Sequence, residues 1–394
     1  MTVERDVMEY DLLIVGGGPV GASLAVALAA AGRGVTLVEA GGPPAGAPRW
    51  DERCIALNAA SQATFARLGL WDALAEAATP IIATHISERG RFGMARFTAE
   101  QAGLPALGYN LPMRHLMQVL WQRVAALDIA VHAPDTVSAH RVDADGVEVQ
   151  LASGVSLRAQ LLVAADGAQS PLRTEQGVAA VTDDYGQTAI VSAVRVQRPH
   201  RGWAYERFTP EGPIALLPKP GDACSLVWTL PDAQAAAMMA ADDAAFLAAA
   251  QTCFGERLGR FGDLGVRGAW PLSRTLSTAL TGARTLFIGN AAQALHPVAA
   301  QGFNLGLRDV DTLDTLLRRH PDDPGAADLL RRYAEARQPD RRRTADFTDQ
   351  LVRLFSNRVP GLQGARHWGL LALDLLPPLK QAVMWQNLGY GGSR

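Results

Sequence analysis

Three short apolar runs, each leading straight into glycine, set the frame of this chain. Leu12-Leu13-Ile14-Val15 runs into Gly16-Gly17-Gly18-Pro19-Val20-Gly21, Leu161 to Ala165 into Asp166-Gly167, and Thr285 to Ile288 into Gly289-Asn290. Continuous apolar runs of this length predict strands buried on both faces, as in a parallel sheet. Between the first and its successor, Ala22 to Ala31 is rich in alanine and leucine and predicts a helix ended by Gly32. Val35 to Val38 is a further strand, with Glu39 at its end. A helix is expected over Ser61–Leu68 before Gly69, and another from Arg114 with Leu116, Val119, Leu120 and Val124 on one face.

The pattern then changes. Val147 to Leu151 alternates as a half-exposed strand, and Ile190–Val196, Trp203–Phe208, Ile214–Leu217 and Ser225–Leu230 are strand-like segments separated by glycine and proline. They predict an antiparallel sheet inserted into the first unit. Ala233–Phe254 reads as helical, Asn304–Arg318 as a helix, and Leu329–Arg358 as mainly helical. The fold class is therefore α/β, with a Rossmann-like first unit, an inserted antiparallel sheet and a helical C-terminal part.

Composition adds limits. A chain of 394 residues, 48% hydrophobic, is long for one domain. The net charge of -2 favours no polyanionic partner, and nucleic acid is not expected. Cys54, Cys224 and Cys253 are far apart, so neither a disulfide framework nor a thiolate metal site is expected. Met1–Tyr10 carries Glu4, Asp6 and Glu9 and does not read as a signal peptide; no run reads as a membrane span.

Gly16, Gly18 and Gly21 form G-x-G-x-x-G between a strand and a helix, and Glu39 ends the next strand. That context gives each position a task. Gly16 permits the tight turn, Gly18 lets a pyrophosphate approach, and Gly21 lets the helix pack closely. The helix N-terminus that follows offers N–H groups to phosphate, and Glu39 suits ribose hydroxyls. By itself the motif does not separate FAD from NAD.

Three ordered segments resemble the class A flavoprotein monooxygenases, the para-hydroxybenzoate hydroxylase-like enzymes. They are the glycine motif with Glu39, Asp166-Gly167 with Arg173, and Gly289-Asn290 with His296-Pro297 and Gln301 to Gly306. More narrowly, Glu206 to Thr209, Pro213 to Pro218, Cys224 to Trp228, Leu307-Arg308-Asp309 and Arg337 to Arg341 resemble the ubiquinone-biosynthesis hydroxylases. Within these, the members acting on 2-polyprenyl-6-methoxyphenols are the nearest in pattern. The resemblance spans Tyr10 to Tyr390.

It implies an FAD-binding domain over 1–80, 108–182 and 272–394, and a substrate domain over 81–107 and 183–271. It implies FAD as cofactor, NAD(P)H and O2 as co-substrates, and hydroxylation of a polyprenyl phenol through a C4a-hydroperoxyflavin. Cofactor contacts fall on Gly16, Gly18, Pro19, Gly21, Glu39, Arg53, Arg114, Asp166, Gly167, Gly289, Asn290, Pro297, Gly302, Phe303 and Asn304. Pro297 and Gly302 would lie over the flavin ring. His296 is a candidate base, set against a loop-shaping role. Asn290 stands where most of the superfamily has Asp, so one charge is missing there. A lipophilic phenol, other ubiquinone-biosynthesis proteins and a peripheral membrane contact are the implied partners, and the expected place is the cytoplasm or the face of the inner membrane. The arginine-dense Arg331–Arg366 and apolar Trp368–Tyr390 would make that contact.

A flavin-dependent halogenase is disfavoured, because W-x-W-x-I-P is absent and neither Lys219 nor Lys380 is suitably placed. A hydroxylase of another phenol, a flavin reductase and a non-catalytic flavin-binding accessory subunit remain open.

Overall fold

The structure is a computed structural model that describes residues 8–42, 53–355 and 362–391. The Met1–Val7 part of the N-terminal reading and the Ser356–Arg358 end of the last helical segment lie outside these, as do the side chains of Arg366 and Trp368.

The first sheet runs Thr285–Phe287, Ser156–Ala164, Met8–Val15, Val35–Val38 and Ala130–His132 across its parallel part. Leu12, Leu13, Ile14, Leu161, Leu162 and Val163 are fully buried, as a strand covered by helices on both faces requires. Register is what matters for function. Val15 pairs with Val38 on one side and Ala164 on the other, and Ala164 pairs with Phe287. The three glycine segments therefore leave one sheet edge side by side, tied by Gly16 N–H to Val38 O (2.8 Å) and Ile288 N–H to Ala164 O (3.0 Å).

The second sheet is nine-stranded, and its long central strand, Ala180–Val196, pairs antiparallel with Ala223–Pro231 and Gly268–Ser277. The hairpin Ala83–Glu88 and Met94–Thr98 joins its far edge, with Ala83–Glu88 running parallel to Trp203–Phe208. Period-2 alternation divides this sheet cleanly. Ile190, Val194, Leu226 and Trp228 pack under Phe246 and Phe254 of the covering helices, while Ala189, Val191, Val227 and Thr229 face a cavity.

Helix limits differ from expectation in three places. The stretch read as helical over Ala233–Phe254 is divided into two helices, Asp232–Ala240 and Asp243–Phe254. Ala241 is extended, and the Asp242 carboxylate accepts from Ala245 N–H at 2.7 Å, starting a new helix. The first helix begins at Pro19 rather than Ala22, and the one expected from Asn304 begins at Gln301. Two C-terminal helices, Leu362–Leu375 and Pro377–Asn387, close over the hairpin, where Leu370 and Met384 join Phe97 and Phe208 in one cluster.

Candidate active site

Glycine plays two different parts in the first motif. A Cβ on Gly16, whose φ is +107°, would lie 2.4 Å from the Ala165 carbonyl oxygen, and one on Gly21 would lie 1.9 Å from that of Gly16. The protein itself demands glycine at both. A Cβ on Gly18 meets nothing within 4 Å and would project into the open cleft. The same is true of Gly302. These two glycines leave room that no protein atom fills.

Glu39 turns back onto the loop, its carboxylate accepting from the N–H groups of Gly17 and Gly41, the latter at 2.8 Å. Asp166 follows the neighbouring strand Ser156–Ala164. One of its oxygens accepts weakly from Leu172 N–H at 3.4 Å, while the other is buried with no donor among the described residues. Burial pushes its pKa up, against the pull of Ser170 and nearby N–H groups. A buried carboxylate oxygen lacking a donor is costly, and Ala165 and Gly167 on either side of Asp166 line the cleft. Together with the space at Gly18 and the helix N-terminus at Pro19, these groups fit a dinucleotide.

We expect Gly18→Val to leave the melting temperature of the flavin-free protein unchanged, because nothing crowds that Cβ. Its FAD affinity should fall about tenfold or more, a loss of about 1.4 kcal/mol. Thermal unfolding and flavin titration check the two halves separately.

Asn290 is exposed to the cavity, and Gly289 has φ +55°. This turn is held from behind. Asp309, 3% exposed, accepts from Gly289 N–H (3.1 Å), Gln293 Nε2 (2.7 Å) and Arg337 Nε (2.7 Å). Arg337 also donates to Asp340 (2.7 Å), and Arg341 to the carbonyls of Ser277 (2.6 Å) and Ala292 (3.0 Å). The Arg337–Arg341 motif thus clamps the second glycine turn from the long helix Ala327–Phe355. Sequence reading had quoted these residues for their resemblance and given them no task.

Between Pro297 and Gln301 the chain takes an unusual course, since Ala299 and Ala300 both have positive φ, +58° and +50°. For alanine that costs roughly 1 kcal/mol or more at each residue. No sequence signal announces it. The first turn of the next helix then points its N–H groups toward the cavity wall formed by Gly302 and Phe303. Asn304 is committed elsewhere. Its side chain donates to Ala56 O (2.9 Å) and Ala300 O (2.6 Å) and accepts from Asn58 N–H (3.0 Å) and Ser61 Oγ (2.6 Å).

His296 is buried, with Nδ1 accepting from Val298 N–H at 3.1 Å. The neutral ring therefore carries its proton on Nε2, which meets no acceptor among the described residues, and the ring packs edge-on to Tyr185 with centroids 5.2 Å apart. Burial depresses its pKa to about 4. A ring whose only lone pair is already used is poorly set to take a proton. Arg53 lines the cavity and stacks over Trp270 at 5.3 Å, whereas Arg114 is half-buried and forms no part of that wall; Met113 and Met117 of its helix do.

Gly18, Pro19, Gly167, Asn290, Pro297, Gly302 and Phe303 border one cavity of about 960 Å³, together with Arg53 and His296. It runs from Gly18 and Gly167 past Asn290 and Pro297 to the open face of the second sheet. Its sheet wall is apolar apart from a few side chains, among them Glu206, Ser225 and Thr229. Among the described residues, no cluster of three His, Cys, Asp or Glu could hold a metal, and no helix is long and apolar enough to cross a membrane.

Comparison with known proteins agrees with this geometry. Residues 9–348 match the FAD binding domain family. The ubiquinone hydroxylase UbiL of Rhodospirillum rubrum is 39% identical over 384 residues, covering 96% of this chain and 89% of its own. The 3-demethoxyubiquinol 3-hydroxylase of Escherichia coli is 32% identical, covering 96% and 98%. Among solved structures, p-nitrophenol 4-monooxygenase of Pseudomonas putida shares the fold with a TM-score of 0.81 at 17% identity, covering 98% of this chain and all of its own. HpxO of Klebsiella pneumoniae, solved with FAD and uric acid, does so at 0.77 and 18% identity, covering 98% and 97%. The chain is an FAD-dependent monooxygenase of the FAD binding domain family, in which ubiquinone hydroxylases are its relatives.

Proposed function

We propose that this protein hydroxylates the aromatic ring of a polyprenyl phenol in ubiquinone biosynthesis, using FAD, NAD(P)H and O2. The observation that carries this reading is the single cavity joining a dinucleotide cradle to an apolar sheet face. The names of two relatives that match nearly the whole chain point to the same substrate class. Bound FAD would accept hydride from the nicotinamide and activate O2 for transfer to the ring.

The chain's own part is holding, orienting and drying. In this reading Gly16, Gly18, Pro19 and Gly21 cradle the pyrophosphate, Glu39 takes the adenosine ribose, and Asp166, Gly167, Gly289 and Asn290 meet the remaining sugar-like hydroxyls. Pro297, Gly302 and Phe303 border the ring, with the helix N-terminus at Gln301 favouring negative charge there. Arg53 borders the cavity, and Arg114 acts on the cofactor through the first turn of its helix, Met113–Ala126. Residues 81–107 and 183–271 form the substrate unit. Its apolar wall excludes water, which limits wasteful release of hydrogen peroxide. The test is whether a prenylated phenol accelerates NAD(P)H-dependent flavin bleaching and consumes O2 in step with hydroxylated product. Bleaching indifferent to any phenol would favour an accessory or reductase role.

We propose also that the protein touches a membrane surface. Several arginines of the arginine-dense segment are already engaged within the protein. Arg331 and Arg332 pair with Asp328, Arg353 with Asp349, and Arg337 and Arg341 are buried. Leu375, Leu376 and Leu379, 65%, 53% and 45% exposed, stand together at the junction of the last two helices. Replacing all three with serine is expected to abolish flotation with neutral as well as anionic liposomes while flavin content stays intact. Flotation that persists would remove this contact.

A further inference from the structure

Glu206 is a carboxylate that has no partner among the described residues. It lies on Trp203–Phe208, where Tyr205 packs partly against the cluster under the covering helices and Glu206 lines the cavity. In register it faces Ile86 on one neighbouring strand and Ala215 on the other, both of which line the same cavity. Among the described residues it forms no hydrogen bond or ion pair, and it is the only acid on the cavity wall. The other titratable groups of that wall are Arg53, Cys54, Tyr205 and His296. None of these supplies a neighbouring charge that moves Glu206, whose pKa is pushed up to about 7 by burial alone.

We propose that Glu206 is the catalytic base of this enzyme, accepting the proton of the substrate's phenolic hydroxyl before the ring is attacked. The inference rests on the hydroxylase reading above and names its missing acid–base group. In the step, the phenol O–H bond breaks and its proton moves to a carboxylate oxygen of Glu206. The electron pair left on the phenolate oxygen enriches the ring carbons ortho and para to it. One of these forms the new C–O bond with the oxygen atom that the flavin reaction draws from O2, while the other oxygen atom leaves as water at the expense of NAD(P)H. The displaced ring proton restores aromaticity on departing, and Glu206 returns its own to solvent.

Energetics favour this position. A phenol with pKa about 10 lies roughly six units above an ordinary glutamate, a gap that makes proton transfer steeply uphill. A glutamate raised to about 7 halves that gap and is still ionised just above neutral pH. An isolated carboxylate on an apolar wall also needs a donor when substrate arrives, and a phenolic hydroxyl supplies one. His296 offers no comparable lone pair, since Val298 N–H occupies it.

The test compares Glu206→Gln, Glu206→Asp and His296→Gln as flavin-loaded proteins. Glu206→Gln should lower kcat about a hundredfold and remove the rise of rate through pH 7, with Glu206→Asp recovering part of both. His296→Gln should keep the wild-type profile. A nitrophenol probe should bind the wild type as the coloured phenolate above pH 7, and bind Glu206→Gln as the neutral phenol. Phenol-stimulated flavin reduction should survive in Glu206→Gln, and its loss in the wild type as well would sink the hydroxylase reading rather than this one. A folding readout needs no flavin. The unfolded chain ionises Glu206 from about 4.5 and the folded chain only near 7, so the wild type loses stability across that window and stays weaker above it. Glu206→Gln should thus match the wild-type melting temperature at pH 4 and exceed it at pH 8. A retained pH 7 limb in Glu206→Gln, its disappearance in His296→Gln, or phenolate bound without Glu206 would each overturn the assignment.

Discussion

Gly21→Ala is expected to yield protein that melts early and comes off purification colourless. The added methyl would sit 1.9 Å from the Gly16 carbonyl oxygen, and both partners are backbone. No side chain can turn aside, so the helix Pro19–Ala29 must lift from the strand Met8–Val15. Leu24, Ala25 and Leu28 of that helix are fully buried, so lifting it opens the largest core cluster. Overpacking of this kind costs about 3 kcal/mol or more. The contrast with Gly18→Val is the informative part. Two glycines of one motif should separate cleanly, one protecting the fold and the other leaving space for the nucleotide. A Gly21→Ala protein with the wild-type melting temperature and full flavin absorbance would show that the close helix–strand approach is wrong.

The second large effect is expected of Asp309→Ala. This carboxylate is the shared acceptor for Gly289 N–H, Gln293 and Arg337, all buried. Removing it leaves Arg337, itself 4% exposed, with only part of its compensation and frees the turn that carries Asn290. Breaking a buried pair from one side costs about 3–5 kcal/mol. The denaturant midpoint should fall accordingly, and flavin should dissociate before the chain unfolds. Adding Arg337→Met to Asp309→Ala should recover part of the stability, because no lone buried charge then remains. If the double variant is weaker by the plain sum of the singles, the two residues are not coupled as the geometry requires.

Much of the fold is legible because continuous apolar runs are an unambiguous signal when glycine follows. Leu12–Val15, Leu161–Ala165 and Thr285–Ile288 were each readable as buried strands, and the side-by-side exit of their loops follows from parallel pairing. The alternating Val147–Leu151 and the one-sided helix face at Leu116, Val119, Leu120 and Val124 were equally plain. Where a local marker was missing, the reading slipped. The break at Ala241 lies in an alanine-rich stretch with no glycine or proline, and only the Asp242 cap shows it. Ala300 begins a helix in a left-handed conformation that alanine seldom takes, so the start at Gln301 had no sign in the sequence.

The site was hidden for a different reason. The second sheet is covered by helices on one face and borders a cavity on the other, so apolar residues occupy both parities of its strands. Against that background Glu206 stands out only as part of a family motif. Only the register, which places it level with Ile86 and Ala215, shows that it faces inward. Likewise Asp309 and Arg337 lie 28 residues apart on two helices, and no spacing rule links them. His296 drew attention as the residue type most often used for proton transfer, until its hydrogen bond to Val298 gave it a task in the loop.

Isotope incorporation tests the whole account most directly. The holoenzyme is supplied with NAD(P)H, a prenylated phenol and heavy-oxygen O2, and the product is weighed by mass spectrometry. One heavy atom in each new ring hydroxyl, and none when the label is in water instead, is the expected result. A product labelled from water, or consumption of O2 that ends wholly in hydrogen peroxide whatever phenol is present, would contradict it.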